Sequence, residues 1–115
     1  MRQVVERPDE PRPMTEPVLL ILMSLAEQPR HGYALLKDIE SLSRGRVRLS
    51  TGTLYGAIRR LLDDKWIERF EQPDTSRDKQ AYRLTAAGRR QLQLELGRMK
   101  ELTRAGFARL RVSEV

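Results

Sequence analysis

The order in which hydrophobic periodicities follow one another constrains this chain more than any other feature. Three stretches carry apolar residues at three- and four-residue spacing, which is typical of amphipathic helices, and breakers separate them. Two short alternating stretches, typical of strands, then precede a final and longer helical stretch. This order predicts a mainly α protein with a small β-hairpin. At 115 residues, the chain can hold one domain with an added dimerisation element.

The first two helices are predicted from their caps and breakers. Thr15 is the expected N-cap of the first helix, with Pro17 in its first turn. This helix is expected to end near Glu27, because Pro29 cannot continue it. The second helix is predicted over residues 32–42, stopped by the following Arg-Gly pair, and its apolar positions at helical spacing are Tyr33, Leu35, Leu36, Ile39 and Leu42.

The segment S-T-G-T-L-Y-G-A-I-R-R-L-L at residues 50–62 predicts a third helix with two different faces. Ser50 or Thr51 is expected to cap it, and it is expected to run to about Lys65. Its core-facing stripe consists of Leu54, Ile58, Leu61 and Leu62. The remaining surface carries Thr51, Gly52, Thr53, Tyr55, Gly56, Arg59 and Arg60. Val47, Arg48 and Leu49 alternate just before it and predict a short strand.

A hairpin is predicted next. Residues 66–71 (W-I-E-R-F-E) and 80–84 (Q-A-Y-R-L) alternate as antiparallel strands would, and the polar residues 72–79 form the expected tip. Arg77 and Lys79 lie in this tip. Helix, helix, strand, helix and hairpin in this order make up the winged helix-turn-helix plan, in which the third helix enters the major groove of DNA and the hairpin lies over the adjacent backbone.

The last helix is expected to begin after a Thr85 cap, at residue 86, and to run to about residue 111. Its stripe of about five turns is longer than a core of this size needs, so we expect part of it to pack on a second copy of the chain. The alternative is that this helix folds back on its own core. The predicted dimerisation residues are Leu92, Leu96, Met99, Leu102, Gly106 and Leu110.

Composition excludes several function classes. Cysteine is absent and His31 is the only histidine, so we expect no enzyme, no metal site and no cofactor. The longest apolar run, residues 18–25, is too short to span a bilayer, and the charged, proline-containing residues 1–14 do not resemble a signal peptide. We therefore expect no membrane partner, a cytoplasmic location and a flexible arm at residues 1–14.

Charge favours an anionic partner, and the winged helix-turn-helix plan predicts that this partner is double-stranded DNA. Lys and Arg number 22 against 16 for Asp and Glu, and residues 41–62 contain arginines but no acid. Hydroxyls and amides at the start of the third helix can bond phosphate, while arginines can bond phosphate or guanine. The predicted DNA-binding residues are Thr51, Gly52, Thr53, Tyr55, Arg59, Arg60, Arg77, Lys79 and Tyr33. As alternatives, Tyr55 is a half-buried packing residue, and Arg59 and Arg60 lie on a merely solvated face.

Three motifs in order carry a resemblance to a known family. They are H-G-Y at residues 31–33, G-T-L-Y at residues 52–55 and Y-R-L-T-x-x-G at residues 82–88. Together they resemble the PadR family of bacterial transcriptional regulators, over about residues 18–110. The chain looks like a short member with a single terminal helix. The implied organisation is an arm at 1–14, a winged helix-turn-helix DNA-binding domain at 15–85, and a C-terminal dimerisation helix and tail at 86–115.

The resemblance implies a dimeric, ligand-responsive repressor, and the two-fold symmetry of a homodimer predicts a palindromic operator. It also implies a small hydrophobic or aromatic effector, bound near Val18, Leu22, Leu92, Leu96 and Met99. The terminal helix contains no Trp or Tyr, so stacking on a flat ligand is not evident there. Two other functions stay open at this point: a winged helix that binds protein, and a small-molecule binder without DNA activity.

Overall fold

The computed structural model describes residues 13–71 and 80–113. The predicted hairpin tip with Arg77 and Lys79, and most of the predicted arm, lie outside the described residues. In chain order the elements are α1 (Glu16–Glu27), β1 (Arg30–His31), α2 (Gly32–Leu42), α3 (Thr51–Asp63), β2 (Ile67–Phe70), β3 (Ala81–Leu84) and α4 (Ala86–Ser113). The mainly helical fold with a small antiparallel sheet confirms the predicted fold class.

The helices begin at hydroxyl side chains that accept otherwise unpaired amide groups. The Thr15 hydroxyl accepts from the Val18 amide at 3.4 Å, which starts α1. The Ser50 hydroxyl accepts from the Thr53 amide at 3.1 Å, which starts α3. At the start of α4, the Thr85 hydroxyl accepts from the Gly88 amide in the same way. Helix α2 differs, because the side chain of its N-cap residue, His31, makes no such hydrogen bond. The predicted caps at Thr15 and Ser50 are confirmed.

Helices α2 and α3 both end in a Schellman motif. At the end of α2, the Gly45 amide donates to the Glu40 carbonyl at 2.8 Å. At the end of α3, the Trp66 amide donates to the Leu61 carbonyl at 3.0 Å. The residue before each donor has left-handed backbone angles, a position where glycine is usual. These residues are instead basic: Arg44 (φ 54°) and Lys65 (φ 63°).

The sheet has the order β1-β3-β2, and all its pairs are antiparallel. The hairpin prediction is confirmed, with Ile67 opposite Leu84 and Phe70 opposite Ala81. The predicted strand at residues 47–49 is wrong, because the third strand is β1. Val47 cannot pair with a sheet through its amide, which donates to the Ser43 hydroxyl at 2.9 Å. A two-residue strand such as β1 is too short to give a detectable periodicity.

The core lies between α1, α2, α3 and the inner side of the sheet. Its fully buried aliphatic side chains are Ile21, Leu22, Leu35, Ile39, Leu54, Ile58 and Ile67. Two residues expected on the apolar face of α2 are not in it, since Tyr33 is 70% exposed and Leu42 is 44% exposed. Tyr33 lies in the first turn of α2 and Leu42 in the last.

Helix α4 divides into a packed part and an exposed part. Leu92 and Glu95 are buried against the rest of the chain, at 5% and 1% exposure. Every residue from 101 to 111 is exposed. The alternative in which this helix folds back on its own core therefore holds for its first part and is excluded for residues 101–111. No helix among the described residues is both long enough and apolar enough to cross a membrane.

Candidate nucleic-acid interface

Helix α3 presents a continuous polar surface opposite its buried stripe. Leu54, Ile58 and Leu61 are buried, at 0%, 2% and 3% exposure. The predicted outward residues are all exposed: Thr51, Gly52, Thr53, Tyr55, Gly56, Arg59 and Arg60. A Cβ built at Gly52 or Gly56 would meet no atom within 4 Å, so packing inside this chain requires neither glycine. The two glycines leave a low strip on the outer surface of the helix.

Tyr55 joins two of the three sequence motifs. Its ring end lies over Gly32, the first residue of α2, so closely that a Cβ at Gly32 would overlap the Tyr55 hydroxyl and come within 2.8 Å of its Cζ. The glycine of H-G-Y therefore makes room for the tyrosine of G-T-L-Y. Tyr55 is still 39% exposed. It is a packing residue at its tip and a surface residue along one side of its ring.

Tyr82 lies behind this contact on β3 and is 6% exposed. Burial raises the pKa of the Tyr82 phenol, the nearby Tyr55 phenol raises it further, and Arg69 opposes both effects. The Tyr82 phenol is therefore protonated and neutral at neutral pH. The two tyrosines are close enough to influence each other, so the third motif, which begins at Tyr82, also reaches the start of α3.

Tyr33 lies beside this cluster on the outer side of α2. The Lys37 ammonium is 5.7 Å from the centre of the Tyr33 ring, one helical turn further on. Arg30, just before α2, donates from Nε to the Ser24 carbonyl at 3.3 Å and lies 3.5 Å from Asp38. The start of α2 is thus fixed to α1, and it presents an aromatic ring and a cation to solvent.

The third motif, Y-R-L-T-x-x-G, forms the junction between the sheet, α3 and α4. The Thr85 hydroxyl lies 2.7 Å from the Lys65 carbonyl and 3.0 Å from the Gly88 amide, donating to the first and accepting from the second. The Thr85 amide donates to the Trp66 carbonyl at 3.0 Å. A Cβ at Gly88 would come within 2.8 Å of the Trp66 carbonyl carbon. Glycine is required there because backbone atoms, which cannot move aside, fill the space.

The predicted site leaves out three exposed arginines, although the run of arginines without an acid in residues 41–62 is a signal for them. Arg44, Arg46 and Arg48 lie between α2 and α3 and are exposed, whereas Val47 and Leu49 are partly buried against the core. The alternation of residues 47–49 in the sequence predicts a strand. It reflects instead a connection with one packed side and one cationic side.

The predicted dimerisation and effector residues fall into two groups. Leu92 is in the core of its own chain, and Leu22 is fully buried there, so neither offers a surface to a second molecule. That is a correction to both predicted sets. The residues that are exposed on α4 are Leu96, Met99, Leu102, Gly106 and Leu110. Val18 is partly buried and borders a cavity of about 240 Å³ between α1 and α3.

Among residues 13–71 and 80–113, no three acidic or histidine side chains come together as metal ligands would.

The sequence matches a described family over most of its length. Residues 21–94 match the Transcriptional regulator PadR-like family. A Streptomyces fradiae protein described as "Uncharacterized 37.1 kDa protein in transposon TN4556" is 38% identical over 85 residues, which are 74% of this chain. They are 23% of that protein, so the chain spans about a quarter of the length of this relative.

Solved structures show the same fold. A transcriptional regulator from Clostridium thermocellum superposes with a TM-score of 0.67 at 25% identity, over 81% of this chain and 87% of its own. A PadR family transcription regulator from Clostridium difficile R20291 gives 0.69 at 21% identity, over 84% and 99%. BpsR from Bordetella bronchiseptica, whose DNA binding is regulated by 6-hydroxynicotinic acid, gives 0.62 at 21% identity, over 82% and 65%. With its winged helix, its three sequence motifs and the family match over residues 21–94, this chain belongs to the PadR-like family of transcriptional regulators.

Proposed function

We propose that this chain binds DNA sequence-specifically as a homodimer and represses transcription from a palindromic operator. The observation that supports this most directly is the outward face of α3. That face is exposed, carries Arg59 and Arg60 with no acid before Asp63 at the end of the helix, and is lowered by two glycines that this chain does not need for its own packing. A groove lined by phosphates and base edges is complementary to such a surface.

The residues of α3 have separate roles in this proposal. The Ser50 hydroxyl donates to the Thr53 hydroxyl at 2.9 Å, so the Thr53 proton is available to a phosphate. Thr51 and Gly52 offer first-turn amides that no intrahelical carbonyl uses. Arg59 and Arg60 offer guanidinium groups to phosphate or guanine. We propose that Tyr33 contacts the DNA backbone from the start of α2. Arg77 and Lys79, which lie outside the described residues, are proposed to contact the DNA backbone as well.

Dimerisation is proposed through the exposed stripe of α4. Leu96, Met99, Leu102 and Leu110 are between 37% and 58% exposed, which is unusual for large apolar side chains that recur on one helix face. A second copy would cover both stripes at once, since a two-fold interface uses the same surface twice. One α3 from each copy then reads one half of an inverted repeat. We accordingly retain residues 15–85 as the DNA-binding domain and 86–115 as the dimerisation segment.

An effector remains part of the proposal, with a smaller set of residues. Val18, Leu96 and Met99 reach the surface, whereas Leu22 and Leu92 do not. BpsR, a structural neighbour, is described as regulated by 6-hydroxynicotinic acid, which is a small aromatic compound. We expect a hydrophobic or aromatic molecule that contacts Val18, Leu96 and Met99 to weaken DNA binding by changing how two copies pack.

The test starts from operator sequences that the wild-type protein selects from a randomised duplex pool. Arg59→Ala should weaken binding to the selected operator about tenfold or more, because one good base contact contributes roughly 1 to 3 kcal/mol. Tyr55→Ala should also weaken it, and Tyr55→Phe separates ring packing from the hydroxyl. Gln93→Ala, an exposed change on α4, is the control. If the pool yields no enriched sequence, or if Arg59→Ala and Tyr55→Ala both bind as the control does, the proposal is wrong.

Salt separates DNA binding from the rival protein-binding function. Binding driven by phosphate contacts should weaken steeply as salt rises, whereas an apolar protein interface should respond little.

A reporter gene downstream of the selected operator then tests the sign of regulation. Repression requires lower reporter output when the protein is present, and an unchanged or higher output contradicts it.

A further inference from the structure

The segment between α2 and α3 carries a cationic surface that the recognition helix does not include. We name it the arginine connector: residues 44–49, with Arg44, Arg46 and Arg48 exposed on one side. We propose that the arginine connector binds the sugar-phosphate backbone at the edge of the groove that α3 enters. This inference rests on the proposed function, because it takes α3 to be the recognition helix.

The arginine connector is held in one conformation by hydrogen bonds. The Ser43 side chain, 2% exposed, accepts from the Val47 amide at 2.9 Å and donates toward the Glu40 carbonyl at 3.3 Å. The Arg46 amide donates to the Ser43 carbonyl at 3.1 Å. A segment fixed in this way presents its side chains at low entropic cost to a ligand, which is what preorganised recognition requires.

The alternation in the connector sets the spacing of its charges. Val47 and Leu49 pack on the core, so Arg46 and Arg48 both face outward, about 6.6 Å apart for an extended chain. Arg48 is three residues before Thr51, so their Cα atoms are within about 10 Å. The major groove is about 12 Å wide. Side chains at that distance from the start of a helix inside the groove lie at its phosphate edge.

The arginines of the connector are weakly engaged within the chain. Arg46 forms an ion pair with Glu16 at 3.6 Å, and these side chains are 76% and 53% exposed. Such a pair is worth little in water and exchanges readily for a phosphate. No ion pair of Arg44 or Arg48 occurs within the described ranges. No acid lies anywhere in residues 41–62 to compete with a phosphate from within the segment.

Backbone strain at Arg44 also favours a role in binding. Its φ of 54° is in the left-handed region, where a residue with a Cβ is disfavoured and glycine is usual. Gly45 follows immediately with a φ of 79°, so the glycine is needed at its own position and does not relieve Arg44. An arginine kept at a strained position is consistent with a task for its side chain.

The experiment compares two triple variants that remove the same charge. The connector variant is Arg44→Gln, Arg46→Gln and Arg48→Gln. The control is Lys100→Gln, Arg104→Gln and Arg111→Gln, which are exposed on α4. Operator affinity is measured from 50 to 300 mM salt, on the duplex selected by the wild-type protein. Each lost phosphate contact should lower the slope of log affinity against log salt by about 0.9. Because a homodimer carries six of these arginines, we expect a fall of about 5 for the connector variant. We expect no change for the control and an unchanged preference for the operator over random duplex.

Equal slopes for the two variants would show a general charge effect and overturn the inference, as would loss of operator preference in the connector variant. Methylphosphonate linkages placed one at a time along the operator give a second readout. The wild type should lose affinity at phosphates to which the connector variant is indifferent, and identical profiles would also overturn it. Arg59→Ala is measured in parallel: if it weakens binding while the connector variant matches its control, only the connector inference fails. If no operator is selected, the proposed function and the inference fail together.

Discussion

Helices α3 and α4 each bury one side against the chain, and they differ in the chemistry of the side that stays exposed. Each buries one stripe, through Leu54 and Ile58 in α3 and through Leu92 in α4. The exposed side of α3 is polar and cationic, whereas the exposed side of α4 is apolar at Leu102 and Leu110. The buried stripes tell how the chain folds. We propose that the uncovered face of α3 meets an anionic groove and that the uncovered face of α4 meets an apolar surface.

The largest expected effect tests the buried side of this comparison. Leu54→Ala removes a fully buried side chain of α3 and should cost about 2 to 5 kcal/mol of unfolding free energy. Leu102→Ala on α4, where the side chain is 58% exposed, should change the stability of the single chain by less than about 0.5 kcal/mol. Urea unfolding at low protein concentration measures both. Similar losses in the two variants would show that the distal part of α4 packs on its own chain.

The next prediction tests the uncovered face of α4. Leu102→Glu with Leu110→Glu places two carboxylates where we expect an apolar dimer contact, and should weaken self-association by about 100-fold, or about 2.7 kcal/mol. Gln93→Glu with Ala108→Glu adds the same charge on the opposite side of the helix and should leave association unchanged. Sedimentation equilibrium decides. Equal weakening in both pairs would mean that net charge, rather than the stripe, controls assembly.

A third prediction concerns the part of α4 that is fixed to α1. The Arg98 guanidinium donates to both Glu95 oxygens at 2.9 and 2.7 Å, and the Met14 amide donates to Glu95 at 3.3 Å. Hydrogen bonding from Arg98 lowers the pKa of Glu95, burial opposes this, and the Met14 amide adds to the lowering. Glu95→Gln should cost about 1.5 to 3 kcal/mol at neutral pH.

The pH dependence of this effect has a definite sign. Because the pKa of Glu95 is lower in the folded chain than in the unfolded chain, its contribution is complete above the ordinary carboxyl pKa and is lost as pH falls through the lowered value. The stability difference between wild type and Glu95→Gln should therefore shrink in acid. A difference that stays constant down to the acid limit of folding would contradict the role given to the ionised carboxylate.

The smallest expected effect compares the two strained helix ends. Arg44→Gly and Lys65→Gly each relieve a left-handed backbone and should each raise stability by up to about 1 kcal/mol. Only Arg44→Gly should also weaken operator binding, since Lys65 is not part of the arginine connector. Thermal unfolding and anisotropy titrations measure the two properties on the same samples. A loss of binding in both variants would point to altered helix ends rather than to a lost phosphate contact.

Most of the fold could be predicted because its signals are local. Caps at Thr15 and Ser50, the stop after Leu42 and the alternation in β2 and β3 each depend on a few neighbouring residues. The strand β1 could not be predicted, because its pairing with β3 joins residues about fifty positions apart and it spans only two residues. The interpretation of residues 47–49 as a strand failed because packing and pairing produce the same alternation.

The candidate site could be predicted by its residue types but not by its contacts. The outward face of α3 follows from helical spacing alone. That Tyr55 rests on Gly32, and that Leu22 and Leu92 are unavailable to a ligand, depends on how helices far apart in sequence approach one another. The arginine connector was visible as charge, but its conformation depends on the Ser43 side chain and on two left-handed residues in succession.

The contact between Tyr55 and Gly32 has a consequence for how an effector could act. The start of α3 rests against α2, and the backbone just past its end is hydrogen-bonded to Thr85 through the Lys65 carbonyl. A helix restrained at both ends cannot tilt by itself without breaking one of these contacts. If a small molecule regulates a homodimer of this chain, as we propose, it would act by changing the separation of the two DNA-binding domains. The regulated quantity would then be the spacing of the two domains relative to the helical repeat of DNA, rather than the tilt of either α3.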